Sequence, residues 1–377
     1  MKAFEITEYQ ASSVISALIA DELGVHFSRH FDSLTTARWA ADTTLGADGI
    51  GLTPDERAAC VRRITDFFGA ETNIDPSVET IGAWAGVIAD VVLHRQVRFT
   101  FASAAASRRE IAHAADDIYA DAAAAANLIY GRRRLLTLVA PHSLFGFALS
   151  VLAPNLLQVP SIDARALTPE ALTKAMSFGD ALVATPSLWR YVIRSGVVAP
   201  DNAMAVYFGE PMAGDLAADM RKAGFGAQRE LYGSTETGVI GWRDSPGEAF
   251  VLFDHWRRAG DMLERTSPGG GVTPVDAMDT LVWENDRRFK LAGRRDGAVQ
   301  IGAVNVFPDR IAAKICEHPI VKTCVISVSR HAGGANRLIA DIELDNAAPG
   351  ESLARSIDSW CRAKLRPQER PRVYNFR

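Results

Sequence analysis

Between residues 135 and 232, short apolar runs alternate with helix-like segments, and this alternation restricts the fold more than any other feature of the chain. The runs are 135–140, 181–184, 204–208 and 228–232, and 216–222 is one of the helical segments between them. Such runs suit strands covered on both faces, and the helices between them supply the crossovers that parallel strands require. The expected fold class is therefore α/β: a large layered N-terminal domain followed by a smaller α+β unit.

A chain of 377 residues suggests two domains. Residues 1–95 read as a mostly helical lead-in. Thr53 is the expected N-cap of one helix, with Pro54 in its first turn, and Thr168-Pro169-Glu170 repeats the device. The alanine run 122–126 belongs to a helix. A composition change at Ser267-Pro268-Gly269-Gly270-Gly271 reads as a turn, followed by a strand pair at 281–283 and 289–291. Next comes the glycine-flanked polar joint Gly293-Arg294-Arg295-Asp296-Gly297, then strands at 323–328 and 337–344 and a helix at 353–365. The expected layout is an N-terminal domain over 1–292, a hinge over 293–297 and a small domain over 298–377.

The bulk numbers exclude several classes. A net charge of −4 argues against nucleic acid as a partner, and Arg132-Arg133-Arg134 reads as a solvated strand start. No apolar run reaches the length of a membrane span, and the opening residues lack the apolar core of a signal peptide. Cys60, Cys316, Cys324 and Cys361 have no metal or redox spacing, and the eight histidines show no zinc spacing. A cytoplasmic protein with reduced thiols and no membrane partner is expected.

The richest chemistry lies in Leu231-Tyr232-Gly233-Ser234-Thr235-Glu236-Thr237-Gly238, directly after an apolar run. A glycine lets backbone N–H groups approach phosphate oxygens, and a carboxylate is a natural ligand for a hard cation. A polar turn between two core elements accounts for the same residues. Three further segments separate these readings: Gly209-Glu210-Pro211 after a strand, Asp279, and the joint at 293–297.

Taken in order, these segments resemble the ANL superfamily of adenylate-forming enzymes: acyl-CoA synthetases, peptide-synthetase adenylation domains and luciferases. The resemblance covers residues 97–377 and implies activation of a carboxylic acid with ATP and Mg²⁺ to an acyl-adenylate. It implies that Gly209, Glu210 and Pro211 cup the adenine edge and that Tyr232 stacks on adenine. Gly233, Ser234 and Thr235 would face the phosphates, and Glu236 would hold the metal. It also implies that Asp279 and Arg294 bind ribose and that Asp296 is the pivot of the small domain. The stretch 299–311 and His318-Pro319 continue the match. Coenzyme A or a phosphopantetheine carrier is the implied acceptor. Ala140-Pro141-His142-Ser143-Leu144-Phe145-Gly146-Phe147 resembles the family's acyl pocket, with His142, Phe145, Gly146, Phe208 and Val239 as its walls and an aromatic acid as the implied substrate.

The chain departs from the family in three places. Ala277 and Met278 replace the usual Thr-Gly before the ribose aspartate, and the phosphate loop is a poor copy. Its segment 101–109 has alanines where the family has glycines, leaving Ser103, Ser107 and Arg109 to reach phosphate, with His113 downstream where relatives often carry a histidine. The family's terminal lysine has no counterpart. A short, atypical adenylating enzyme is one expectation, similar in form to the adenylating protein of D-alanylgriseoluteic acid biosynthesis, where a phenazine carboxylate would pass to a partner reductase. A binding protein that keeps the nucleotide or acid pocket without the chemistry is the alternative.

Overall fold

The structure is a computed structural model that describes residues 6–70, 74–75, 78–94, 98–103, 109–295, 297–301, 304–330, 336–345 and 350–377. The described residues divide into two compact units. The first comprises those up to Ser103, Glu110–Asp276 and Trp283–Phe289; the second comprises Arg109, Ala277–Val282 and those from Lys290 to Arg377.

The first unit opens with helices, as the sequence reads. Helix α1 (Glu8–His26) begins with a capping box between Thr7 and Gln10. After the short α2 (Ser33–Ala37), helix α3 (Pro54–Phe68) begins with Thr53 and Glu56 in a capping box and ends at Gly69. Two orphan donors of the first turn are thus satisfied by side chains. Helix α4 (Ile81–His94) packs with α3 against α1. An antiparallel hairpin of β1 (Arg98–Ala102) and β2 (Glu110–Ala114) leads into α5 (Ala115–Leu128), which contains the alanine run. Phe67, Phe68, Phe99, Phe101 and Phe147 interlock, with centroid separations such as 4.8 Å for Phe67–Phe68 and 5.5 Å for Phe67–Phe147. Their edge-on and tilted packing joins α3, the hairpin and the short helix Leu144–Phe147 through one apolar cluster.

The central sheet follows. Its strands are β3 (Leu135–Thr137), β4 (Ser161–Asp163), β5 (Ala181–Ala184), β6 (Met204–Phe208), β7 (Ala227–Ser234), β8 (Gly238–Arg243) and β9 (Phe250–Leu252), in the spatial order β9-β8-β7-β6-β5-β3-β4. The stretch from β4 to β7 is parallel, and β8 and β9 return antiparallel. Every residue of β3, β5 and β6 is buried, as covered parallel strands require. One face carries Trp189, Val192, Leu216 and Met220 from the crossover helices Pro186–Arg194 and Gly214–Lys222, packed on Leu182, Ala205 and Tyr207. The strand expected over 135–140 ends at Thr137, because the chain then enters the turn in which Ser143 N–H reaches the Ala140 carbonyl (3.2 Å). Nor is Arg134 a solvated strand start: it grips the buried Asp180 at 3.0 and 2.6 Å.

A smaller antiparallel sheet of β10 (Trp256–Ala259), β11 (Met262–Thr266) and β12 (Val272–Val275) turns through the glycine-rich segment 267–271. The second unit pairs the strands Val321–Arg330 and Asn336–Leu344 antiparallel, with Val373–Phe376 parallel to the latter. Helices Pro308–Cys316 and Glu351–Lys364 bury Ile311, Ile315, Ile357 and Cys361 against Leu338, Ala340 and Ile342. Cys60, Cys316, Cys324 and Cys361 are free thiols. No helix among the described residues is long and apolar enough to cross a membrane.

Candidate active site

In a sheet of this topology, groups that meet a ligand sit beyond the carboxyl ends of the parallel strands. Residues at the ends of β6 and β7, and in the segment after β3, are the candidates from the first unit.

The β7–β8 hairpin carries Tyr232 to Gly238, and its register shifts at the bulge between Tyr232 and Gly233. Ser234 and Thr237 hold the turn: Ser234 N–H donates to Thr237 Oγ1 (3.0 Å), while Glu236 N–H and Thr237 N–H reach Ser234 Oγ (3.2 and 3.3 Å). The turn's polar groups are thus satisfied by one another. The carboxylate of Glu236 and the hydroxyl of Thr235 are left half-buried, without a side-chain partner among the described residues. Tyr232 is 8% exposed and packs against Phe250 (5.3 Å between centroids) and Phe289 (5.5 Å).

Two histidines support this hairpin. His113 on β2 donates from Nε2 to the Thr235 carbonyl at 2.7 Å. Burial holds the imidazole below its ordinary pKa, with the Thr235 contact and Asp121 acting in the opposite direction. His255 lies 2.9 Å from Asp121 on α5, and Asp121 also accepts the Val239 N–H (2.9 Å) and the Arg265 guanidinium (2.8 Å). Gly238 is tightly confined in this cluster. It has φ of +83°, and a Cβ there would meet Asp121 Oδ2 and come within 2.9 Å of Arg265 Nη1. The sequence marked His113 but passed over Asp121, His255 and Arg265. The available signal was Asp117 and Asp121, two acids one turn apart on an alanine-rich helix, on the face that a core-packed helix must bury.

At the end of β6, Gly209 and Pro211 are exposed, and Glu210 turns inward. Ser187 Oγ donates to Glu210 Oε2 at 2.6 Å. Burial raises the carboxyl's pKa, opposed by hydrogen bonds from Ser187 and Thr185. In the segment after β3, Phe145 stacks on Phe208 with centroids 4.5 Å apart and planes 12° from parallel. Gly146 has no room for a Cβ against the Ala140 carbonyl and the Ser143 hydroxyl. His142 lies 4.0 Å from Asp21. Val239 is fully buried, its carbonyl taken by Trp256 Nε1 at 2.8 Å.

The remaining candidates fall elsewhere. Ser103 is buried in the first unit. Arg109 is exposed, and with Asp279 and Arg294 it belongs to the second unit, where Arg295 N–H reaches the Met278 carbonyl at 3.0 Å. Ser107, Asp296 and the 302–303 loop lie outside the described residues. Among the described residues, no group of three or more His, Cys, Asp or Glu could hold a metal ion. A Mg²⁺ bound through one carboxylate and substrate phosphates needs no such cage, so Glu236 fits that mode.

No protein-family model matches the chain. A 4-coumarate–CoA ligase of Halorhodospira halophila is 29% identical over 95% of this chain and 93% of its own length. A second, from Rhodobacter capsulatus, is 27% identical over 91% and 90%. Among solved structures, the amide bond synthetase McbA of Marinactinospora thermotolerans superposes with a TM-score of 0.58 at 14% identity, covering 97% of this chain and 90% of that one. The o-succinylbenzoate CoA synthetase of Bacillus subtilis gives 0.60 at 14% identity, over 74% and 65%. The structural matches show that the chain has the fold of these synthetases, and its sequence is similar to 4-coumarate–CoA ligases along nearly its whole length.

Proposed function

We propose that this protein activates an aromatic carboxylic acid with ATP and transfers the acyl group to coenzyme A. The observation that carries the reading is the similarity to two 4-coumarate–CoA ligases along nine-tenths of their length. A carboxylate oxygen of the acid attacks the α-phosphorus of ATP, the bond to the β-phosphate bridging oxygen breaks, and pyrophosphate leaves. A thiolate then attacks the acyl carbon, and AMP leaves. Two anions must meet in the first step, so positioning and charge neutralisation dominate the barrier.

In this reading Glu236 would hold Mg²⁺, whose charge would offset that of the phosphates, and Thr235 would donate to a phosphate oxygen. Gly209, Glu210 and Pro211 border the adenine. The stacked pair Phe145–Phe208 is the flat apolar wall against which an aryl ring lies. A hydroxycinnamate is the substrate class that the relatives' names favour, and they favour a CoA acceptor over a partner reductase. Incubation with ATP-Mg²⁺, 4-coumarate and CoA should release AMP and form the aryl thioester. No acid-dependent AMP release across a panel of aryl acids would leave the alternative, a nucleotide- or acid-binding protein.

A further inference from the structure

The hairpin that carries Thr235 and Glu236 has a weak point in its own pairing. Tyr232 faces Gly241, but Gly233 faces Val239, so Ile240 is an extra residue on β8. A bulge leaves one residue unpaired and interrupts the ladder there, and a one-residue slip would turn every following side chain to the other face. The register past the bulge is therefore open to selection by contacts from outside the two strands, added to what the ladder and the buried face specify.

Asp121 is placed to do so. It is fully buried, and its donors come from three segments: Val239 N–H on β8 (2.9 Å), His255 Nε2 before β10 (2.9 Å), and Arg265 Nη1 and Nη2 on β11 (3.3 and 2.8 Å), all meeting a carboxylate on α5. Arg265 is anchored in turn by the Asp117 carbonyl (2.5 Å) and lies over the Trp256 ring (5.2 Å). Trp256 takes the Val239 carbonyl, so both backbone groups of the residue beside the bulge are held by side chains. On the other side His113 takes the Thr235 carbonyl. A buried ion cluster adds little net stability over an apolar one, but its hydrogen bonds are directional.

We propose that Asp121, oriented by Arg265 and His255, is a positioning residue that selects the register of the bulged β7–β8 hairpin and so places Thr235 and Glu236. The inference rests on the adenylating reading only for its activity readout.

The test uses the full chain and compares Asp121→Asn with Asp180→Asn, a change at an equally buried, arginine-paired carboxylate remote from the hairpin. Asparagine keeps the shape of Asp121 but turns an amide N–H₂ toward donors. Aryl-AMP formation from ATP and 4-coumarate should fall about 10–100-fold in kcat for Asp121→Asn, with the KM for the acid within about twofold, because misplacement by about 1 Å costs up to 10² in rate. Amide hydrogen exchange over 234–243 should quicken in the same variant. Asp180→Asn should show neither change per folded molecule. His255→Ala should follow Asp121→Asn, and His255→Gln, which restores a donor, should recover most of the rate; this pair decides the matter if Asp121→Asn does not fold. Wild-type kcat and wild-type hairpin exchange in Asp121→Asn, or equal losses in Asp180→Asn, would overturn the proposal. If the wild-type protein makes no aryl-AMP, the functional reading fails, and the exchange measurement still decides the role of Asp121.

Discussion

Asp121 and Asp180 are both fully buried, and both face an arginine, yet they serve the molecule differently. Asp180 is bonded by Arg134 on the edge of β3 and by Ser177 N–H (2.7 Å), groups at the amino ends of neighbouring strands, and its Arg134 side chain is 29% exposed. Asp121 gathers a helix, the site hairpin and the small sheet, and its arginine's side chain is 6% exposed. One is a local staple; the other ties the site hairpin to the body of the unit. The same chemistry therefore has different consequences according to which elements it spans.

Truncation separates the two most strongly. Asp121→Ala should cost about 3–5 kcal/mol, because a buried guanidinium and the Val239 N–H lose their acceptor. Asp180→Ala should cost less, because Arg134 can turn into water. Denaturant unfolding of both variants checks this, and equal losses would erase the distinction. Glu236→Ala comes next: adenylate formation should fall on the order of 10²–10³ with AMP affinity unchanged, while the melting temperature stays put, since the carboxylate makes no side-chain bond among the described residues. Loss of AMP affinity by calorimetry would move the residue out of the proposed metal role.

Two glycines sharpen the comparison further. Gly238→Ala should lose about 1–3 kcal/mol to overpacking against Asp121 and Arg265, on top of roughly 1 kcal/mol for its positive φ. Gly131, with φ of +82° and open space around it, should lose only the roughly 1 kcal/mol φ cost in Gly131→Ala. Thermal melts that rank them the other way would show that the Asp121 cluster yields freely.

The smallest expected effect is with pH. The folded-state pKa of His113 is held below its ordinary 6.5 by burial, so the unfolded chain binds the proton more readily. Its contribution to stability is present above about pH 6.5 and is lost as pH falls through the lowered value. Glu210 and Glu230 have raised pKa values; their contributions are present below 4.5 and are lost as pH rises from there. Unfolding titrations of wild type against His113→Gln isolate the histidine: the variant should lose less stability on acidification below pH 6.5. Parallel curves would remove His113 from the balance.

Local chemistry was enough for much of this. Thr53 and Thr168 as caps, the buried runs at 181–184 and 204–208, the turn at 267–271 and the helix through the alanine run all follow from dihedral preferences and periodicity within a few residues. The hairpin after 228–232 and its polar turn were legible for the same reason, since Ser234 and Thr237 bond to neighbours two and three residues away. Composition could not reveal that Arg134 would be drawn to Asp180, or that Asp121 would meet Val239, His255 and Arg265, residues 118 to 144 positions away. Those partners are chosen by sheet order and helix packing, and a buried charge takes whichever donors the packing delivers. The sequence alone determined the elements, the α/β class and the residue types at the candidate site. Tertiary structure alone decided which buried carboxylate stands behind that site, because register and burial are set by contacts between distant segments.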